Sequence, residues 1–214
     1  MRSKKVPTGR KLSFIEQARR RQIIEAAIGA VAAEGYGGAS LAKVARRAKI
    51  SKSVVVYYFG GKNQLLEAVV EQLFREIWDS VRPRLEAETT ARGQLRAYIE
   101  SEFTFLEQHR DRLLTITYIL MNHRDREGAL YLHDQAEQTN LRSLGAMLEQ
   151  GQKNGEFRAF ALQPMAATLM HAINGALGQW ASDPKVSLRD YAQELVTIFD
   201  LATRKQTARA RRAR

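Results

Sequence analysis

The stretch that decides the fold covers residues 40–59 and reads SLAKVARRAKISKSVVVYYF. Its first half has apolar residues at the i, i+3, i+4, i+7 spacing of an amphipathic helix, namely Leu41, Val44, Ala45 and Ala48. Ser40 is a candidate N-cap for this helix, and Ser51 is one for a second helix over residues 52–59, which the glycines at 60–61 end. The stretch therefore predicts two short helices joined by a tight turn.

The second half of the stretch has the composition of a strand. Val54–Phe59 is β-branched and aromatic throughout, and such residues favour strands by propensity. A strand needs partners, however, and no alternating pattern elsewhere in the chain supplies one. Context therefore favours a helix here.

The rest of the chain continues with helical periodicity. A long amphipathic pattern runs from Lys62 to Val81, and Pro83 marks its expected end. Further patterns cover Met165–Trp180 and Leu188–Ala202, and no internal repeat is present. The predicted fold class is all-α.

Charge is distributed unevenly along the 214 residues, whose formal net charge is +11. Residues 1–62 contain 14 Lys or Arg and 3 Asp or Glu, whereas residues 63–203 contain 14 and 20. Residues 204–214 contain 6 basic residues and no acidic one. A basic head of this kind predicts nucleic acid or another anionic surface as its partner.

Several other classes of function find no support in the composition. The chain has no cysteine, which excludes disulfides, thiolate metal ligands and a cysteine nucleophile. Its histidines lack metal-ligand spacing, and no catalytic motif or phosphate-binding glycine loop occurs, so we expect no metal, no cofactor and no enzymatic activity. No apolar run could span a membrane, and Met1–Lys11 precedes no apolar stretch of a secretory signal, so a cytoplasmic location is expected.

The two short helices have the arrangement of a helix-turn-helix, in which the second helix enters the major groove of DNA. Ser51, Lys52 and Ser53 supply hydrogen-bond donors at the end of that helix that faces the groove. Basic and tyrosine side chains around the motif are expected to contact phosphates. The predicted DNA-binding residues are Ser40, Lys49, Ser51, Lys52, Ser53, Val54, Tyr57, Tyr58 and Lys62.

Residues 19–70 resemble the DNA-binding domain of the tetracycline-repressor (TetR) family of bacterial transcription regulators. The resemblance is carried by one ordered pattern: Ile24, Ala27, Gly35-Tyr36, Ser40-Leu41, Val44-Ala45, Ile50-Ser51-Lys52-Ser53, Tyr57-Tyr58-Phe59, Lys62 and Leu65-Leu66. It implies an N-terminal three-helix helix-turn-helix domain and a larger C-terminal helical domain for ligand binding and dimerisation. The expected divisions are a flexible basic arm (1–18), the helix-turn-helix domain (19–62), the helical domain (63–203) and a disordered basic tail (204–214).

The departures from the family pattern are at Val54 and Val56. Family members usually have a small residue and Thr at the positions of Ser53 and Val54, and Tyr at the position of Val56. Val56 cannot make the hydroxyl–phosphate contact expected of that Tyr, so the contact is left to Tyr57 or Tyr58, or is absent. Val54 can touch a thymine methyl group but cannot hydrogen-bond a base.

The resemblance also implies a homodimer with a small-molecule pocket in the C-terminal domain. Small residues within Met165–Trp180 and apolar residues of the last helix would allow a four-helix interface between subunits. The pocket candidates are polar residues within apolar helices, with large apolar neighbours as walls: Phe103, Tyr118, Met121, Asn122, His123, Met170, His171 and Asn174. For each histidine, an ordinary hydrogen bond in the core is the alternative.

The sequence thus predicts a sequence-specific transcriptional regulator, a repressor that a small-molecule effector releases from a near-palindromic double-stranded DNA operator. The helix from Lys62 is the expected connection between effector and DNA. One alternative is a non-specific architectural nucleic-acid-binding protein that relies on charge alone. Another is a peripheral membrane protein whose basic head docks on anionic lipid.

Overall fold

The computed structural model describes residues 13–124 and 135–205, so most of the predicted arm and tail lies outside the described residues. The elements within these ranges are α1 (Phe14–Gly38), α2 (Leu41–Arg47), α3 (Lys52–Phe59), α4 (Lys62–Glu86), α5 (Ala91–Gln108), α6 (Arg110–Asn122), α7 (Gln135–Lys153), α8 (Leu162–Ser182) and α9 (Leu188–Thr203). Within these ranges an isolated β-bridge joins Phe157 to Arg204, and no strand is present. The predicted all-α fold is confirmed. None of the described helices has the length and apolar character needed to cross a membrane.

Helix α1 begins inside the segment that was predicted to be a flexible arm. A capping box accounts for this start, because the Ser13 backbone donates to Glu16 Oε2 at 2.8 Å and Ser13 Oγ accepts from the Glu16 backbone at 3.3 Å. The helix buries one stripe of residues: Ile23, Ile24, Ala26, Ala27, Ile28, Ala30 and Val31. Its regular part ends at Gly35, as predicted, where φ 70° and ψ 177° leave the helical region.

Helices α2 and α3 begin at the predicted caps. The hydroxyl of Ser40 accepts from the Lys43 backbone at 3.3 Å, and that of Ser51 accepts from the Val54 backbone at 3.4 Å. The strand-prone residues are helical because this cap and the burial of Val55 and Phe59, one turn apart, outweigh propensities of about 1 kcal/mol. The prediction of a helix here is confirmed.

Helix α4 continues past Pro83, so the prediction that it ends at this proline was wrong. Proline removes only its own N–H from the helical ladder, and its carbonyl still accepts from the Ala87 backbone at 3.2 Å. Because Pro83 lies in the last turn, a single missing hydrogen bond does not stop the helix before Glu86.

The described helices group into two compact units, and the first contains α1, α2, α3, α4 as far as Glu76, and α6. This division differs from the predicted boundary at residue 62. Polar contacts at a constant separation of 87 residues join α6 and its C-cap, His123, to α1: Arg112 to Glu25 (2.8 Å), Thr115 Oγ1 to the Ile28 carbonyl (3.0 Å) and His123 Nδ1 to the Tyr36 hydroxyl (3.0 Å). The constant separation means that α1 and α6 run in the same direction.

The second unit contains the remainder of α4 together with α5, α7, α8 and α9. Its core includes Leu148, Phe157, Leu169, Ile173 and Leu188, all at most 1% exposed. The carboxylate of Glu156 accepts hydrogen bonds from the first backbone N–H groups of α5, those of Ala91 (3.0 Å) and Arg92 (3.3 Å). An acid at this end is favourable because the N–H groups there have no partner within the helix.

Candidate nucleic-acid interface

Helix α3 has one face in the core and one face in solvent. Val55 is fully buried and Phe59 is 6% exposed, whereas Lys52 and Ser53 are exposed and Tyr57 is 36% exposed. The buried face fixes the helix to its own unit. The polar face is therefore held in place and remains available for a partner.

The predicted donors at the start of α3 divide into two kinds. Ser51 Oγ accepts from the Val54 backbone and lies 2.8 Å from Ser53 Oγ, so the Ser51 hydroxyl is occupied by the helix cap. The exposed side chain of Lys52 has no such role in the cap. Lys52 and Ser53 are thus better placed than Ser51 to contact base edges.

A shallow groove of about 480 Å³ runs along the exposed face of α3. Its lining combines Ile50, Ser53, Val54, Tyr57 and Tyr58 with Arg19, which belongs to α1. Ile50 and Val54 form an apolar patch of the kind that can accept a thymine methyl group. The structure thus brings four of the predicted DNA-binding residues together and adds Arg19, which was not predicted.

Two side chains of α1 hold it beside this groove. The Gln22 amide donates to the Ala48 carbonyl at 2.8 Å. The Arg20 guanidinium donates to the Tyr58 carbonyl at 3.0 Å and lies 4.3 Å from the centre of the Phe59 ring. The basic run at residues 19–21 was the available signal in the sequence, but its spacing does not tell which of the three arginines faces α3.

The two tyrosines at the end of α3 lie edge to face, with ring centres 5.2 Å apart. Both line the groove, and each offers a hydroxyl that could contact phosphate. Val56 is half-buried and has no hydroxyl with which to contact phosphate. Either tyrosine could make that phosphate contact instead.

Lys62, a predicted phosphate contact, is the first residue of α4. Its ammonium donates to the Tyr36 carbonyl at 2.7 Å and lies 4.7 Å from the centre of the Tyr36 ring. Burial lowers the pKa of this ammonium. The described structure thus gives Lys62 a local role, that of joining the start of α4 to the end of α1.

The remaining predicted DNA-binding residues lie around the motif. Lys49 is exposed in the turn between α2 and α3 and has a φ of 52°, in the left-handed region. Ser40 is exposed as the N-cap of α2. Both are accessible to DNA, and both also shape the backbone of the motif.

The predicted ligand residues are divided between the two units. Tyr118, Met121, Asn122 and His123 belong to the first, and Phe103, Met170, His171 and Asn174 belong to the second. Tyr118 and Met121 are 37% and 69% exposed, whereas His123 is 1% exposed with its ring bonded to Tyr36. For His123, the structure favours the alternative of a hydrogen-bonded core histidine.

The four residues in the second unit lie in different environments. Phe103 and Met170 are buried at 3% and 8% exposed. His171 and Asn174 are exposed and share one face of α8 with Gly175 and Gly178, around which an added Cβ would meet no atom within 4 Å. These two polar residues therefore lie on the outside of this unit, next to the small residues predicted to form a dimer interface.

Comparison of the sequence with known proteins identifies the motif. The profile of the family described as bacterial regulatory proteins, tetR family, matches residues 23–69. The HTH-type transcriptional regulator BetI of Paraburkholderia phytofirmans is 39% identical over 90 residues, which are 42% of this chain and 46% of the relative. The chain is thus matched over about half the length of this curated relative.

Comparison of the fold extends the similarity to most of the chain. A putative TetR-family transcriptional regulator from Rhodococcus sp. superposes with a TM-score of 0.76 at 22% identity, over 86% of this chain and 98% of that one. FadR from Bacillus subtilis, solved with stearoyl-CoA, superposes with a TM-score of 0.75 at 18% identity, over 83% and 96%.

A third structure with this fold was solved with two partners at once. AibR, in complex with isovaleryl coenzyme A and operator DNA, has a TM-score of 0.69 at 18% identity, over 84% of this chain and 97% of that one. At these identities the likeness establishes the fold, while the matched motif establishes the kind of amino-terminal domain. The sequence of residues 23–69 thus matches the tetR family of bacterial regulatory proteins, and most of the chain has the fold of the TetR-family structures that it resembles.

Proposed function

We propose that this chain is a cytoplasmic, sequence-specific DNA-binding transcriptional regulator. The observation that carries the proposal is the exposed face of α3, where Lys52 and Ser53 stand beside a groove while the opposite face is packed in the core. A short helix held in this way fits the major groove of B-DNA, and its side chains can then reach base edges. The positive charge of residues 1–62 supplies attraction to phosphates.

We propose further that the regulator acts as a homodimer through α8 and α9. Ile198 and Leu201 on α9 are 45% and 54% exposed, and the open glycines of α8 would allow a second helix to approach closely. A two-fold dimer presents two recognition helices to half-sites one helical turn apart, which favours a near-palindromic operator. Ile198→Glu together with Leu201→Glu should convert the dimer to a monomer in sedimentation equilibrium.

The third part of the proposal is that a small molecule releases the operator. The support is that FadR of Bacillus subtilis and AibR, which share this fold, were each solved with an acyl-coenzyme A. A ligand that binds more tightly to the conformation without DNA lowers the affinity for DNA. By thermodynamic linkage, bound DNA lowers the affinity for the ligand by the same factor. Isovaleryl-CoA and stearoyl-CoA are the first probes to test for release of a labelled operator.

The DNA-binding proposal is tested by selection of duplexes from a random pool, followed by affinity measurement on the selected and a scrambled duplex. The double variant Lys52→Ala, Ser53→Ala should lose about 10- to 100-fold in affinity for the selected duplex and much less for the scrambled one. Lys185→Ala, which removes an exposed lysine of the second unit, is the control and should leave both affinities unchanged.

The two alternative functions predict different results in the same experiment. An architectural protein that relies on charge would show equal affinity for both duplexes at about 200 mM salt, and the double variant would not change their ratio. A peripheral membrane protein would bind vesicles that contain phosphatidylglycerol more tightly than any selected duplex. Either result would contradict the proposed function.

A further inference from the structure

The first two turns of α1 are capped at their start but only partly packed against the protein. The helix starts at Phe14 behind the capping box of Ser13 and Glu16, so these turns do not depend on packing for their start. Phe14 and Ile15 are 78% and 77% exposed, and they are the most exposed of the large hydrophobic residues described. A helix that extends beyond its core with apolar side chains in solvent has a surface for a partner.

The position of Arg19 identifies the side of this surface that faces the recognition helix. Arg19 lines the same groove as Ser53, Val54 and Tyr57. Its guanidinium donates to Gln22 Oε1 at 2.7 Å, and Gln22 in turn donates to the Ala48 carbonyl. This chain of contacts holds Arg19 at the edge of the groove, where it would face a duplex that α3 enters.

Ile15 extends the same face by one turn. Residues four apart in a helix lie one above the other, about 6 Å along the axis. A duplex that contacts Arg19 and follows this face would therefore pass Ile15 next. The preceding residues 1–12 contain five basic residues and no acidic one, so the charge at this end of the chain is complementary to DNA.

We propose that the face of α1 formed by Ile15 and Arg19 is a second DNA-binding surface, next to the groove read by α3. Arg19 binds a phosphate at the edge of that groove, and Ile15 lies against the deoxyribose of the adjoining backbone. The contact positions the duplex and reads no base, because it reaches only the backbone. This inference rests on the proposed function and extends the interface beyond the helix-turn-helix.

The test uses the full chain, the selected duplex and a scrambled duplex, with affinities measured by fluorescence anisotropy between about 50 and 200 mM salt. Arg19→Ala should weaken binding to both duplexes by the same factor and flatten the salt slope by about one unit. Arg21→Ala is the matched control, because Arg21 is exposed two positions further on and so points to the opposite side of α1.

A second variant tests the surface without removing a basic residue. Ile15→Glu should weaken binding to both duplexes by about tenfold or more, since it places a carboxylate against the backbone. An acid in the first turn favours the helix, so the fold should be retained. Gln17→Glu adds the same charge on the opposite side of α1 and should have a smaller effect.

Several outcomes would overturn the inference. One is an equal loss for Arg19→Ala and Arg21→Ala, which would indicate a general effect of net charge, and another is no loss for Arg19→Ala. A third is that Ile15→Glu abolishes binding to phosphatidylglycerol vesicles and leaves DNA binding unchanged, which would make this face a membrane contact. If the unmodified chain selects no duplex, the proposed function fails with it, whereas selection without an effect of Arg19→Ala refutes this inference alone.

Discussion

The two compact units place their polar groups differently. In the first, Lys52, Ser53 and Arg19 stand at the surface around α3 and are supported by buried apolar residues. In the second, Tyr98, Ser101 and Glu102 lie on one face of α5, and the Tyr98 hydroxyl hydrogen-bonds the Glu102 carboxyl. Tyr98 and Ser101 are at most 7% exposed, and among the described residues the Ser101 hydroxyl has no hydrogen-bond partner.

This difference has a physical consequence. Polar groups in solvent cost little stability, so the surface of the first unit can be adapted to a DNA sequence without loss of the fold. Polar groups in the interior lower stability unless they are hydrogen-bonded or neutral. Any buried polar group with which the second unit would bind a ligand therefore reduces the stability of that unit. Substitutions should therefore affect binding in the first unit and stability in the second.

The largest effect is expected for Glu102→Gln. Burial raises the pKa of the Glu102 carboxyl to about 7, partly offset by the hydrogen bond from Tyr98. Because this pKa lies above its value in the unfolded chain, the stability from this group is fully present below about pH 4.5 and is lost as the pH rises through about 7. Gln does not titrate, so the variant should gain up to about 3 kcal/mol over the unmodified chain between these limits.

Urea unfolding from pH 4 to 8 measures this gain. The control is Glu107→Gln, which removes an exposed carboxylate from the same helix. If the stability difference between Glu102→Gln and the unmodified chain does not change with pH, the pKa of the Glu102 carboxyl is the same in the folded and the unfolded chain. The contrast between the two units then does not extend to this carboxyl.

A smaller loss is expected for Gly151→Ala in α7. A Cβ at this position would overlap the Phe157 ring and come within 2.8 Å of Ala91 Cβ. The ring is 1% exposed, and the Phe157 backbone donates to the Gly151 carbonyl at 3.0 Å, so the ring has little room to move. Overpacking of this kind should lower the free energy of unfolding by about 1–3 kcal/mol.

The matched control for this substitution is Gly145→Ala in the same helix. No atom lies within 4 Å of a Cβ at position 145, so alanine should stabilise the helix by about 0.5–1 kcal/mol. Thermal unfolding of both variants separates the close contact from helix propensity. Stabilisation by both would mean that Phe157 can yield and that the interior of the second unit is less tightly packed than the contacts indicate.

The smallest effect on stability is expected for Lys49→Gly. Lys49 adopts a φ of 52°, where glycine is free of strain, but glycine also increases the entropy of the unfolded chain. The two effects oppose each other, so the free energy of unfolding should change by less than about 1 kcal/mol. Affinity for DNA should fall equally on selected and scrambled duplexes, as for a phosphate contact.

Lys49→Asn provides the control, because asparagine tolerates this backbone conformation and also lacks the charge. Both variants should show the same loss of DNA affinity. A loss of more than 2 kcal/mol in the free energy of unfolding, with unchanged affinity for DNA, would contradict this prediction. It would mean that Lys49 contributes to the stability of the first unit and not to DNA binding.

Local signals predicted the motif correctly. Ser40 and Ser51 each cap a helix within three residues, and Gly35 and Gly60 end helices through their own positive φ. The same kind of signal failed at Pro83, because a proline in the last turn removes only one hydrogen bond. It also missed the start of α1 at Phe14, although both members of the capping box, Ser13 and Glu16, can be read from the sequence.

By itself, the sequence determined the helical class, the two short helices of the motif and the residues exposed on α3, because these depend on spacings of a few residues. Only the tertiary structure decided that Arg19 joins the groove, that α6 pairs with α1 and that His123 bonds to Tyr36. The pairs between α1 and α6 are separated by 87 residues, and no local pattern encodes such a distance. Their formation depends on which apolar faces pack together, and packing is a property of the whole folded unit.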